Sequence, residues 1–311
     1  MADAYLTLAD LVVINDQNLA DIDVSDLLDD APLLRTLAAD TASNGTSHKY
    51  TKETAAPVVG FRDVNNGREN TKSTDTLVTV TLEILDASFA CDKALADVYK
   101  HGVEAYIARE ARRHLRAAYF AAENQFLYGV GADSNGFAGM ADNAGLDAIA
   151  DAMVINGGSA VGSINSSVWA IRTTGDMGHV TAISGQDGNI EIGETIVQRL
   201  AGATGWYPGY YTPITTWLGL QIGSAKSVGR LCNLDAGSNK LADTDMSDLL
   251  ELFPSHAQPT HFVMSRRSRA QLQASRTATN ATGAPAPRPT EYEGIPIITT
   301  EAIDDTEAVI T

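Results

Sequence analysis

The chain has 311 residues, 22 Lys/Arg against 39 Asp/Glu, and a formal net charge of −17. That balance excludes a module gripping nucleic acid through a basic face, though not a protein that encloses nucleic acid without holding it. Cys91 and Cys232 lie far apart without metal-type spacing, which predicts free thiols in a reducing compartment, and no apolar run reaches membrane-spanning length.

Residues 1–47 read as an acidic N-terminal arm, with Asp21, Asp23, Asp26, Asp29 and Asp30 interleaved by Leu27, Leu28, Leu33 and Leu34. Two readings stay open there: a solvated helix with a narrow apolar face, or a segment docked on a neighbouring chain. The start lacks the basic residues and cleavage site of a secretory signal, so the expected place is a cytoplasm. Residues 48–85 hold two β-prone flanks around a polar centre, Asn65-Asn66-Gly67, and Asn-Gly predicts a tight hairpin turn. The second flank, Leu77 to Leu85, carries β-branched Val78, Thr79, Val80, Thr81 and Ile84. A two-stranded arm this long cannot bury both faces alone and must lie on something else.

From Val98 to Met140 the pattern becomes that of a long helix running into a glycine loop. Val103, Ile107, Ala111, Leu115, Ala118, Ala122 and Phe126 recur at helical spacing, while Glu104, Arg109, Glu110, Arg112, Arg113, Arg116 and Glu123 fall mostly off that stripe. At 1.5 Å per residue the helix would reach roughly 40 Å, the length of a strut. Gly129 and Gly131 are its expected terminators. Beyond it, Val168–Thr174 reads as a strand, the segment from Trp217 to Leu234 as half-buried strands, and Met246–Phe253 as a short helix. His261–Met264 predicts a strand, Arg266–Ser275 a helix, residues 277–289 an exposed Pro/Ala/Thr loop, and Ile295–Ile298 a closing strand. Strands and helices mix without regular βαβ alternation, which predicts an α+β fold.

Catalytic signals are weak. The glycines of 129–139 follow a helix instead of opening one, the reverse of a phosphate loop. His179, His256 and His261 have no partners at metal-ligand spacing, and no serine elbow occurs. No catalytic, cofactor-binding or metal residues are therefore expected. Arg112, Arg113 and Arg116 are better suited to pairing with acidic protein surface than to nucleic acid. Trp206 to Tyr211 is expected to be packing core or an intersubunit contact.

The order of these pieces carries a resemblance: acidic arm, β-hairpin, long helix ending in Phe126-Leu-Tyr-Gly129, loop Gly136-Phe-Ala-Gly-Met140, then Val168–Thr174, Trp217–Leu234, His261–Arg276 and the Gly294-Ile-Pro296 strand. It resembles the major capsid proteins of tailed bacteriophages with the Hong Kong 97-like fold, over about residues 48–303. The resemblance implies a structural protein, not an enzyme. It further implies residues 1–47 as N-terminal arm, 48–85 as extended loop, and 86–143 as peripheral domain with a spine helix. Residues 144–289 would be mainly apical domain, some strands being shared with the peripheral one, and 290–311 would be closing strands. Arg62, Asn66, Gly67, Arg68, Lys72, Arg112, Arg113 and Arg116 are the expected subunit-interface residues; Lys49, Lys52 and Lys72 lie where a covalent crosslink would be sought.

The implied partners are many copies of the same chain in hexamers and pentamers, a portal, a decoration or cement protein, and packaged double-stranded DNA enclosed without specific binding. A separate scaffolding protein is expected because fewer than fifty residues precede the loop. The implied location is the virion, after assembly in the host cytoplasm, with no membrane. The rival readings are an encapsulin-type nanocompartment shell and, more distantly, an unrecognised cytoplasmic enzyme.

Overall fold

A computed structural model of the chain describes residues 13–14, 30–55, 57–160, 162–175, 178–185, 189–278 and 284–311. The chain begins with β1 (Val13–Ile14), β2 (Ala39–Thr41) and the long strands β3 (Ser47–Ala55) and β4 (Thr74–Thr81). Next come β5 (Glu83–Asp86), β6 (Phe89–Asp92) and the short helix α1 (Lys93–Asp97), followed by α2 (Val103–Tyr128) and α3 (Met140–Ala144). Seven strands occupy the middle: β7 (Val154–Asn156), β8 (Ser166–Ile171), β9 (Val180–Ser184), β10 (Asn189–Ile192), β11 (Ile196–Gly202), β12 (Gly205–Thr212) and β13 (Ile214–Ile222). The remainder is β14 (Val228–Leu234), α4 (Asp243–Glu251), β15 (His261–Met264), α5 (Arg266–Ala278), β16 (Glu291–Tyr292) and β17 (Ile295–Thr299).

These strands build two six-stranded sheets. The first runs β1-β10-β13-β9-β2 with β5 also paired to β13; the second runs β16-β17-β15-β8-β14-β7. A three-stranded sheet, β11-β12-β6, and the β3-β4 hairpin complete the set. One continuous apolar cluster joins both large sheets to α2, with Trp169, Phe126 and Phe262 among its fully buried members.

The spine-like helix is present with 26 residues, about 39 Å at 1.5 Å per residue. Its start lies at Val103 instead of Val98: Gly102, at φ 92°, separates it from α1, which Asp92 caps by accepting from the Ala94 amide at 2.9 Å. Gly129 ends it at φ 56°, as expected. A Cβ there would also sit 1.9 Å from Asp142 Oδ2 and 2.3 Å from the Gly139 nitrogen, so only glycine fits. The predicted stripe is buried at Ala111, Leu115, Ala118, Ala122 and Phe126.

Four expectations need correction. Glu123 is not off the stripe but fully buried, because Leu33 and Thr300, both remote in sequence, place polar groups around it. Leu33 and Leu34 are neither a solvated face nor docked on a neighbour; with Leu37 they are buried in this chain's own core, and Asp21 to Asp29 lie outside the described residues. β14 is wholly buried, not half-buried, because it is an inner strand paired to both β8 and β7. The hairpin turn is not at Asn66-Gly67: the Asn66 amide donates to Asp63 O at 3.2 Å, which centres the turn on Val64 and Asn65. Asn65 takes the positive φ, 64°, while Gly67 does not. Asparagine tolerates that conformation at the third position of a four-residue turn, so the Asn-Gly pair offered a second position that the chain does not use.

Candidate assembly surfaces

The β3-β4 hairpin is clamped at its root and bare beyond it. Its register pairs Tyr50 with Val78 and Ser47 with Thr81. At the root, buried His48 accepts at Nδ1 from the Ser43 amide at 3.3 Å, so Nε2 carries the proton and donates to Gln221 Oε1 at 2.8 Å. The Tyr50 hydroxyl donates to the Ile222 carbonyl at 3.1 Å, and burial raises its pKa. Leu82 interrupts the predicted Leu77–Leu85 flank: it is buried, its amide donates to Thr46 O at 3.0 Å, and Glu83–Asp86 then joins β13. A Cβ on Gly219 would lie 2.6 Å from Leu82 Cδ2, which shows how tightly the root meets the first sheet.

Beyond the root, β4 presents no buried residue. The tip, residues 57–73, is held by a few internal bonds: Val58 and Thr71 exchange hydrogen bonds at 2.6 and 3.2 Å, and Arg62 Nη1 donates to Asn66 O at 3.3 Å. The Arg68 guanidinium lies over Gly60, where a Cβ would come within 2.4 Å of its Cζ. Phe61 is 102% exposed, Val64 88% and Val59 70%, fractions that leave apolar side chains without cover from their own chain.

Of the expected interface residues, Arg62, Asn66, Gly67, Arg68 and Lys72 therefore come together on this tip. Arg112, Arg113 and Arg116 lie apart, on α2. Arg113 pairs with Glu110 at 2.9 Å, and Arg109 reaches the same carboxylate at 3.2 Å while stacking over Tyr99 and Tyr106. Arg116 is half-buried and lines a groove with Asp30 and Phe120.

Three features escaped the sequence reading. Phe61 and its neighbouring valines were a legible signal, an apolar run inside a polar loop. The β11-β12 hairpin leaves Trp206 62% exposed, so that aromatic segment is not core at its outer end. Glu123 accepts from the Leu33 amide at 3.1 Å and from the Thr300 hydroxyl, and burial pushes its carboxyl up to about 7 against those hydrogen bonds.

A buried ion pair anchors the C-terminal segment. Arg230 Nη2 meets Glu307 Oε2 at 2.9 Å, Arg230 Nε donates to Ser167 Oγ at 3.1 Å, and the guanidinium stacks 4.6 Å from the Trp169 ring. The Tyr128 hydroxyl donates to Glu307 as well. Asn165 and Glu307 pair through their backbones, and Asn233 bonds both the amide and carbonyl of Ile310. Among the described residues, no three His, Cys, Asp or Glu side chains form a metal-holding group, and no helix is long and apolar enough to cross a membrane.

The family model described as major capsid protein GP7 matches residues 16–311. A bacteriophage Epsilon15 structure is similar at 20% identity and a TM-score of 0.65, with 89% of each chain covered. The capsid of bacteriophage JBD30 decorated with minor capsid protein trimers is similar at 12% identity and a TM-score of 0.51, covering 86% of this chain and 89% of that one. At such identities these two likenesses speak for the fold. An encapsulin from Synechococcus elongatus aligns at 9% identity over 66% of this chain and 88% of its own, with a TM-score of 0.42 that carries no argument. No curated protein matches the sequence.

Proposed function

Because the chain belongs to the major capsid protein GP7 family, we propose that many copies of it form the icosahedral head shell of a tailed bacteriophage around double-stranded DNA. The observation that carries this reading at the level of residues is the hairpin, clamped to the first sheet through His48 and Tyr50 and bare of its own chain's cover at Phe61. A free arm of that kind is stable in place only when another surface buries it. The role is structural, and the net charge of −17 suits an enclosure that does not bind its contents tightly, since phosphate binding needs a surplus of lysine and arginine.

In this reading residues 48–85 are the extended loop, 86–143 the peripheral domain with α2 as spine, and 144–289 mainly the apical domain. The arm (1–47) and closing strands (290–311) bracket them. Arg62, Asn66, Gly67, Arg68 and Lys72 serve one intersubunit contact and Arg112, Arg113 and Arg116 another. Hexamers and pentamers of the chain would meet a portal and a separate scaffolding protein, with room for a decoration protein such as the trimers on the JBD30 capsid. Negative-stain microscopy of the purified, assembled chain tests the reading. Phage-sized shells are expected; small cargo-filled shells would favour a nanocompartment, and discrete small oligomers would refute a shell.

A further inference from the structure

Four Asn-Gly pairs occur in the chain, at Asn44, Asn66, Asn135 and Asn156. Such a pair is chemically labile, because glycine leaves its own amide nitrogen unhindered for attack on the preceding asparagine side chain. The fold ties up three of them. Asn44 and Ser47 exchange backbone hydrogen bonds at 3.0 and 2.9 Å, a β-bridge that must open before the Asn44 side chain can turn onto the Gly45 nitrogen. The Gly136 amide donates to Asp133 O at 3.1 Å, and the Asn135 amide donates to Asp133 Oδ1 at 2.9 Å. At Asn156 both reactants are engaged. The Gly157 amide donates to Cys232 O at 2.8 Å, and Asn156 Oδ1 accepts from the Gly158 amide at 2.9 Å and from Asn233 Nδ2 at 3.0 Å.

The fourth pair is open. Asn66 and Gly67 lie exposed on the hairpin tip, and a Cβ on Gly67 would meet nothing within 4 Å. Among the described residues, none hydrogen-bonds the Gly67 amide or the Asn66 side chain. Arg62 Nη1 donates at 3.3 Å to Asn66 O, the oxygen conjugated with the Gly67 nitrogen. We propose that Asn66-Gly67 is a self-modifying site, at which the folded, unassembled chain converts Asn66 to aspartate and isoaspartate with Arg62 promoting the reaction. The Gly67 amide gives its proton to solvent hydroxide, and the resulting anion is shared with Asn66 O, where the guanidinium stabilises it. The Gly67 nitrogen then bonds to Asn66 Cγ. The Cγ–Nδ2 bond breaks as Nδ2 takes a proton from water and leaves as ammonia, which returns the hydroxide. Water opens the cyclic imide at Cγ to give aspartate, or at the Asn66 backbone carbonyl carbon to give isoaspartate. Water is consumed and ammonia released, with no oxidant or cofactor. The tip carries Arg62, Arg68 and Lys72 against Asp63 and Glu69, so the new carboxylate takes it from net positive to neutral. The reaction belongs to the single chain and does not rest on the shell reading.

Incubation of the purified, unassembled full-length chain in mildly alkaline buffer, then digestion in acid and peptide mass spectrometry, tests the assignment. Asn66 should react roughly tenfold faster than Asn44, Asn135 or Asn156, each of which must first open local hydrogen bonds. Labelling by an isoaspartyl methyltransferase should place isoaspartate at position 66. In unfolding urea the four rates should converge, which identifies the fold as the source of the order. Arg62→Gln should slow the folded chain's conversion at Asn66 about threefold, and Arg62→Lys should keep most of the rate. Neither variant should change the rate in urea or the melting of the subunit, since Arg62 lies on the exposed tip. Equal conversion of the four pairs in the folded chain, or an Asn66 that lags another pair, would overturn the site. An Arg62→Gln chain reacting as fast as wild type would overturn the part assigned to Arg62.

Discussion

Replacing Glu123 with glutamine should make the subunit more stable above neutral pH. Glu123 is fully buried on the inner face of α2, accepting from the Leu33 amide and the Thr300 hydroxyl. Burial is the dominant influence and raises its pKa from 4.5 to about 7, against the opposing hydrogen bonds. The folded chain therefore binds this proton more tightly than the unfolded chain does. The stabilising contribution of the proton is complete below pH 4.5 and is lost as pH rises through about 7. At about 1.36 kcal/mol per tenfold change in proton affinity, the interval corresponds to about 3 kcal/mol lost between acid and alkaline conditions. Glutamine keeps an acceptor for Leu33 and a polar partner for Thr300 without a charge to bury. Urea unfolding of the unassembled subunit, at several values between about pH 5 and about pH 8, should show the wild-type curve falling relative to Glu123→Gln, with a difference approaching that figure. Parallel curves for the two proteins would refute the reasoning, since the variant removes only this titration.

Other outcomes follow from the same geometry. Leu115→Ala, at a site 2% exposed, should cost about 2–5 kcal/mol in subunit melting, whereas Arg113→Glu, whose side chain is 63% exposed, should stay within about 1 kcal/mol and act on salt-sensitive assembly. Gly67→Val should leave stability within about 0.5 kcal/mol, since Gly67 has open space and no positive φ, while Gly129→Ala should cost about 3 kcal/mol or more in the same thermal assay. Glu307→Gln strands the buried Arg230 guanidinium and should cost about 3–5 kcal/mol in urea unfolding, with the C-terminal segment becoming protease-sensitive first.

Features with local causes were legible in the amino-acid order. The α2 stripe follows from the helical repeat of Ala111, Leu115, Ala118, Ala122 and Phe126, and its end from Gly129. His261–Met264 and the helix after it were legible because a short apolar run and a polar helical run each declare their own period. The long β-prone flanks around residues 56–73 announced a projecting hairpin, and the basic residues of its tip were visible without coordinates. Features that join residues far apart in the chain emerged only in the folded molecule. Glu123 reads as a surface carboxylate on its helix until Leu33 and Thr300, 90 and 177 residues away, close over it. Leu33 and Leu34 read as an arm's loose face until their own core receives them. The turn at Val64-Asn65 prevailed over Asn66-Gly67 because either asparagine tolerates positive φ, and the hydrogen bond from Asn66 to Asp63 selects between them. The groove beside Phe120 has no sequence signature at all, because α2 supplies one wall and the C-terminal segment, held there by the Arg230–Glu307 pair, supplies the other.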